Sequence, residues 1–135
     1  MFKLIKEIKS KNGEVHFKRW RIFSTPWFDV NIHVIYKADQ DEHLHNHPWN
    51  IWTMVLWGAY LEQFIKENSF NVFPRFIFNM AYREAGQYHK ILKMLTNKCY
   101  TLAIMSKRKQ DWGYKVKGKH IQHEEYRKLK REGKL

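Results

Sequence analysis

Residues 28–37 alternate without a break: Phe28, Val30, Ile32, Val34 and Tyr36 fall on one side of an extended chain, Asp29, Asn31, His33 and Lys37 on the other. A period of two predicts a half-buried strand. Val15 to Ser24, after the turn signal Asn12-Gly13, also reads as extended. Ahead of it Met1, Leu4, Ile5 and Ile8 recur at helical spacing, with Lys3, Lys6, Glu7 and Lys9 on the other face. That pattern predicts a short amphipathic helix, or a strand where tertiary context overrides local preference. Downstream, the apolar run Ile51 to Trp57 ends at Gly58, and Ala59 to Ile65 follows at hairpin spacing. Further strands are predicted over 70–73, 75–82, 87–95 and 99–106, punctuated by Pro74, Gly86 and Asn97-Lys98, and a helix with a weak apolar face over about 121–132. Short strands rich in aromatic and β-branched residues predict an all-β chain, an antiparallel barrel or sandwich with a short helix near each end.

Composition narrows the class. With 135 residues, 44% hydrophobic, and 6 Trp, 7 Tyr and 9 Phe, the chain can bury one core and is neither a disordered tail nor a coiled coil. The net charge of +12 first suggests a nucleic-acid binder. Its distribution changes that: +5 over residues 1–37, zero over 38–106 and +7 over 107–135. Basicity therefore belongs to the flanks. One cysteine, Cys99, favours a reducing compartment, and no signal-peptide core or long apolar span is visible. The expectation is a cytoplasmic single domain spanning 1–135, with barrel strands over about 15–114, a basic tail over about 115–135 and no membrane association.

The neutral middle holds the candidate chemistry. His43, His45 and His47 would project to one face of a strand, where two rings can chelate one ion; the alternative is a solvated polar strand end. His89 follows Gly86 at the start of another predicted strand and offers a third ligand from a distant segment. His120 and His123, with no cysteine nearby, do not make a complete zinc set.

His45-x-His47, three residues, position 51, six residues and Gly58 resemble the first motif of the cupin superfamily, G-x5-H-x-H-x3-4-E-x6-G. Gly86-x2-His89 resembles the core of the second, G-x5-P-x-G-x2-H-x3-N. The stretch His45 to Trp49, with Leu56 to Tyr60, Arg83 to Gly86, His89 and Asp111 to Tyr114, is similar to small cupin-like proteins of bacteria and phages. The resemblance implies a jelly-roll barrel with His45, His47 and His89 as metal ligands and His43 at the lip. It also allows a homodimer. The departures are specific: Ile51 stands at the motif glutamate, and Phe78, Glu84 and Lys93 replace the first glycine, the proline and the asparagine of the second motif. Asn50 and Glu84 are the nearest substitutes for the missing carboxylate.

Three neutral imidazoles leave a divalent ion its full charge, which favours anionic ligands in a low-dielectric interior. With iron the set resembles that of thiol dioxygenases of the cupin superfamily. Zinc, which would serve a hydrolase, and nickel or manganese suit the same donors. The expectation is an iron oxygenase acting on a small anionic molecule. Tyr60, Arg75, Tyr82, Arg83, Tyr100 and Trp112 are candidates to contact it, with Arg83 and Tyr60 as catalytic candidates; Cys99 reads as a small buried hydrophobe. The alternative is a non-catalytic binding module, touching nucleic acid through Lys107-Arg108-Lys109 and the lysines beyond.

Overall fold

The computed structural model describes residues 2–135. In chain order the strands are β1 (Lys3–Lys9), β2 (Val15–Ser24), β3 (Phe28–Ile35), β4 (Ile51–Trp57), β5 (Tyr60–Lys66), β6 (Ser69–Arg75), β7 (Met80–Arg83), β8 (His89–Met94), β9 (Cys99–Ser106), β10 (Gly113–Val116) and β11 (Lys119–Gln122), followed by the helix α1 (His123–Arg131). One sheet has the order β1-β2-β3-β9-β4-β7. The second contains β6-β5-β8 and the hairpin β10-β11, and His45 stitches the two pieces together by bridging to His89 and to Tyr114. All strand pairs are antiparallel.

The two sheets enclose the core. Along β9, Cys99, Thr101, Ala103 and Met105 are buried and point inward. Ile35, Val55, Tyr60 and Cys99 pack together with Phe17, Ile91 and Met94, joining side chains from both sheets. A second cluster, Ile51, Ala103 and Met105 with Trp49, fills the neighbouring space. Each buried aliphatic side chain contributes ~1.5–3 kcal/mol by leaving water.

Several elements differ from the sequence expectation. Residues 3–9 form a strand and not a helix, because β2 offers a free edge and β1 pairs along it; Met1, also assigned to that helix, lies outside the described residues. The chain does not form a hairpin at Gly58. β4 pairs with β7 and β9, whereas β5 belongs to the other sheet, so this turn carries the chain from one layer to the next. Gly58 has φ +90, and a Cβ there would sit 2.4 Å from the Lys98 carbonyl oxygen. Pro74 does not end a strand either: β6 is an edge strand and runs through it to Arg75, and the break comes at 76–79.

The expected basic tail contains folded structure. Tyr114 and Val116 of β10 and Tyr126 of α1 make a third cluster with Trp112 and Ile121. Gln122 caps α1, accepting from the backbone of Glu124 and Glu125. Part of the flanking charge is paired within the molecule, Lys107 with Asp29 and Lys130 with Asp41.

The inner face of β3 carries the polar set of its alternation. Asn31, His33 and Ile35 stand opposite the inward residues Ala103, Thr101 and Cys99, while Val30, Ile32 and Val34 face the outer side with Ile104, Leu102 and Tyr100. The buried polar side chains on this face have protein partners, His33 accepting from Arg19 and Asn31 donating to Met105 Sδ. No helix of the described residues is long and apolar enough to cross a membrane.

Candidate metal centre

His45 and His89 are placed by the sheet itself. Their backbones exchange two hydrogen bonds, His45 N to His89 O at 3.0 Å and His89 N to His45 O at 2.8 Å, so their rings leave the same face. His47 is two residues along, and its N–H donates to Ala85 O at 3.1 Å. Asn46, buried between the two histidines, fixes the segment to β10: its N–H donates to Gly113 O, and its Oδ1 accepts from Gly113 N at 2.9 Å. Gly113 must be glycine, because a Cβ would meet the Ile121 carbonyl oxygen at 2.1 Å.

One ring nitrogen from each of His45, His47 and His89 lies within 4.8 Å of the others. His47 Nε2 and His89 Nε2 are 2.7 Å apart. Burial first, and His89 second, lowers His45 to about 4 and His47 well below the usual range, so both rings are neutral near pH 7 with lone pairs available. Three convergent imidazole nitrogens fit a divalent transition metal, and this is the one such group among the described residues.

A carboxylate stands behind the triad. Glu62 of β5 is 1% exposed and points inward. Its Oε2 lies 2.8 Å from His89 Nδ1, off the axis of a linear hydrogen bond. Its Oε1 accepts from Arg75 Nε at 2.8 Å and Arg83 Nη2 at 2.6 Å, and Arg83 Nε reaches Oε2. Arg83 Nη1 donates to Thr53 Oγ1 at 3.0 Å. The pair joins β7 of one sheet to β5 of the other. Against the opposing effect of burial, the His89 ring beside it and the hydrogen-bonded Arg83 guanidinium hold Glu62 below the usual carboxylate range.

The catalytic candidates sit as follows. Arg83 is buried with its donors on Glu62 and Thr53. Tyr60 packs in the core, its hydroxyl pushed up to about 12 by burial. Ile51, at the position of the motif glutamate, packs in the core with Ala103 and Met105. Asn50 binds the backbone instead, its Oδ1 accepting from Ala85 N at 2.8 Å, and Glu84 is exposed. His43 Nδ1 meets Tyr126 Oη at 2.9 Å, outside the triad. Of the remaining candidates, Arg75 joins Glu62, Tyr82 is exposed, Tyr100 lies on the outer face beside Trp57, and the Trp112 ring approaches His45 at 6.3 Å. His123 stacks on Trp112 at 4.5 Å, and His120 meets Tyr88.

Sequence reading missed Glu62, although a lone acid among the apolar residues of β5, two after Tyr60, is a readable signal. It also missed Arg19, Lys6 and Trp49. The Trp49 ring stacks on His47, at 6.2 Å and 13°. Arg19 lies over Trp49, 5.1 Å from the ring centre, and its Nε donates to His33 Nε2 at 3.1 Å.

The two layers and the convergent histidines define a cupin-type fold, and solved structures of that fold are similar to this chain. An Fe(II) structure of HppE matches with a TM-score of 0.61 and 13% identity, covering 77% of this chain and 56% of that one. A putative mannose-6-phosphate isomerase from Ralstonia eutropha JMP134 matches with a TM-score of 0.56 and 12% identity over 67% of this chain and 83% of that one. A DMSP lyase structure matches with a TM-score of 0.56 and 16% identity over 71% and 51%. The chain spans little more than half the length of the HppE structures it matches. No protein-family model matches it, and no curated protein sequence matches it closely.

Proposed function

We propose that this protein is a metal-dependent enzyme of cupin fold, an iron oxygenase in its reaction class, acting on a small anionic molecule. The observation that carries the reading is the meeting of three imidazoles inside the sandwich with no carboxylate among them. His45, His47 and His89 would hold the ion. Bound ferrous iron would supply a Lewis-acidic, redox-active centre with its full double charge, which favours an anionic substrate. The similar Fe(II) HppE structure is compatible with iron in such a sandwich.

The chain's own residues then have distinct tasks. Glu62 orients the His89 ring by standing at Nδ1, which turns Nε2 toward His47. Arg83 acts through Glu62: it balances the buried carboxylate and is a positioning residue in this arrangement. Trp49 restrains His47 by stacking and keeps water from that ring.

Oxygen consumption by iron-loaded protein with a panel of small carboxylates and thiol-carboxylates tests the reading. Uptake that requires iron and disappears in His89→Ala is expected. Iron bound in stoichiometric amount with no uptake for any substrate, alongside hydrolytic turnover with zinc, would overturn the oxygenase assignment.

A further inference from the structure

The inner wall opposite the triad carries three basic side chains, of which Lys6 and Arg19 lack an acidic partner and Arg21 faces Asp29 at 3.9 Å. Lys6 stands across from Arg19, Arg19 from His33, and His33 from the buried Thr101, so one row runs from the β1 edge into the interior. Arg21 and Asn31 lead the next inward row. Among the described residues, Lys6 and Arg19 have no carboxylate within ion-pairing distance; Asp29, the acid nearest this wall, is held by Lys107 at 2.8 Å and lies 3.9 Å from Arg21. Arg19 uses Nε on His33 and lays its guanidinium over Trp49, whose ring covers His47. The wall and the triad are thus joined by direct contact.

Two further observations point to a missing ligand. Arg21 Nε and Trp49 Nε1 are buried donors with no acceptor, and Asn31 Oδ1 is a buried acceptor with no donor. Native interiors satisfy such groups, and leaving a buried donor unpaired is unfavourable. Lys6 is exposed on the β1 edge, yet neighbouring protein and then Arg19 lower it to about 8; burial and then Arg21 lower Arg19 to about 10. Like charges held together in a sheltered place favour an anion between them.

Resting on the cupin-enzyme reading above, we infer that Lys6 and Arg19, with Trp49 Nε1 and Arg21 Nε, form a subsite for the oxyanion group of the substrate, with preference for a dianion of the phosphate or phosphonate kind. The row places that group between the β1 edge and the triad, so the remainder of the molecule extends toward His47. Arg83, locked on Glu62, is not part of it.

The test uses metal-free protein and inorganic phosphate, so its outcome does not depend on whether the histidines hold an ion. Calorimetric titration gives the affinity, and melting with and without phosphate gives the stability shift. Saturable binding is expected, weakened about tenfold or more in Lys6→Met and in Arg19→Gln, the loss expected for one charge-assisted hydrogen bond. Lys117→Met, a change at an exposed turn, should bind as the native chain does. Without phosphate, Lys6→Met should melt no lower than the native chain, since it relieves repulsion. Acetate should bind more weakly than phosphate. Absence of saturable binding, equal affinity in Lys6→Met, or equal weakening in Lys117→Met would overturn the subsite; acetate bound more tightly than phosphate would overturn the dianion preference. Metal content, measured separately, reports on the enzyme reading alone.

Discussion

Glu62 is the residue on which the candidate centre's geometry turns. Replacing it with glutamine keeps its shape but leaves Arg83, buried at 5% exposure, without its counter-charge. Breaking a buried pair from one side costs ~3–5 kcal/mol, and loss of an outer partner to a metal-bound histidine weakens metal affinity ~10–100-fold. Glu62→Gln is therefore expected to lower both chemical-denaturation stability and affinity in chelator competition. An unchanged metal affinity would remove Glu62 from its positioning role. The same centre predicts acid sensitivity. His45 falls from 6.5 in the unfolded chain to about 4 in the folded one, so the unfolded state takes up its proton first as pH drops. Stability linked to this ring is full above 6.5 and is lost between 6.5 and about 4, by ~3 kcal/mol. Glu62, also held low, adds a loss in the same direction below the ordinary carboxylate range. Urea midpoints of metal-free protein at pH 7.5, 6 and 5 check this, where a flat profile would contradict it. The ligand histidines were legible because a strand's period of two and two motif spacings act within short segments. Glu62, Lys6 and Arg19 were not, because they reach the centre through strand register and sheet-on-sheet packing.

At the scale of elements, the hairpin β10-β11 and α1 hold the triad in place from outside. Gly113 exchanges hydrogen bonds with Asn46, between His45 and His47, while Tyr126 stacks on Tyr114 at 3.7 Å, and Tyr114 stands opposite His45. Tyr126→Ala removes a side chain that is 2% exposed and is expected to cost ~3–5 kcal/mol. Gly113→Ala forces the hairpin off Asn46 and is expected to weaken metal affinity as well as melting temperature, read by chelator competition and thermal unfolding. Loss of melting temperature with native affinity would show that the hairpin does not set the triad. Strand β3 was readable from its alternation, and β2, β4 and β9 from extended or apolar runs bounded by turn signals. The N-terminal segment was not: its apolar spacing suits a helix, and only the free edge of β2 selects a strand. β10 and β11 escaped because each has four residues amid lysines, too short for a pattern to rise above the charge.

Over the whole molecule, the charge that dominates the composition takes on two meanings. Some of the flanking basic groups are paired or solvated at the surface, as Lys107 and Lys130 are. From the N-terminal flank, Arg19 stands on the wall that faces the histidines, and Lys6 lies across from it on the exposed β1 edge. The neutral middle supplies the three histidines and the basic flank supplies Lys6 and Arg19, so neither region alone shows the proposed site. An ion at the triad would also tie the 43–47 segment to β8. Adding it at one hundred times its dissociation constant is expected to raise stability by ~2.7 kcal/mol, visible as a higher melting temperature. The measurement that tests the central claim most directly is elemental analysis of protein reconstituted with ferrous iron without oxygen, then desalted, for the native chain, His47→Ala and His89→Ala. The account predicts about one iron per native chain and little in either variant. Iron retained equally by both variants, or absent from the native chain, would contradict it.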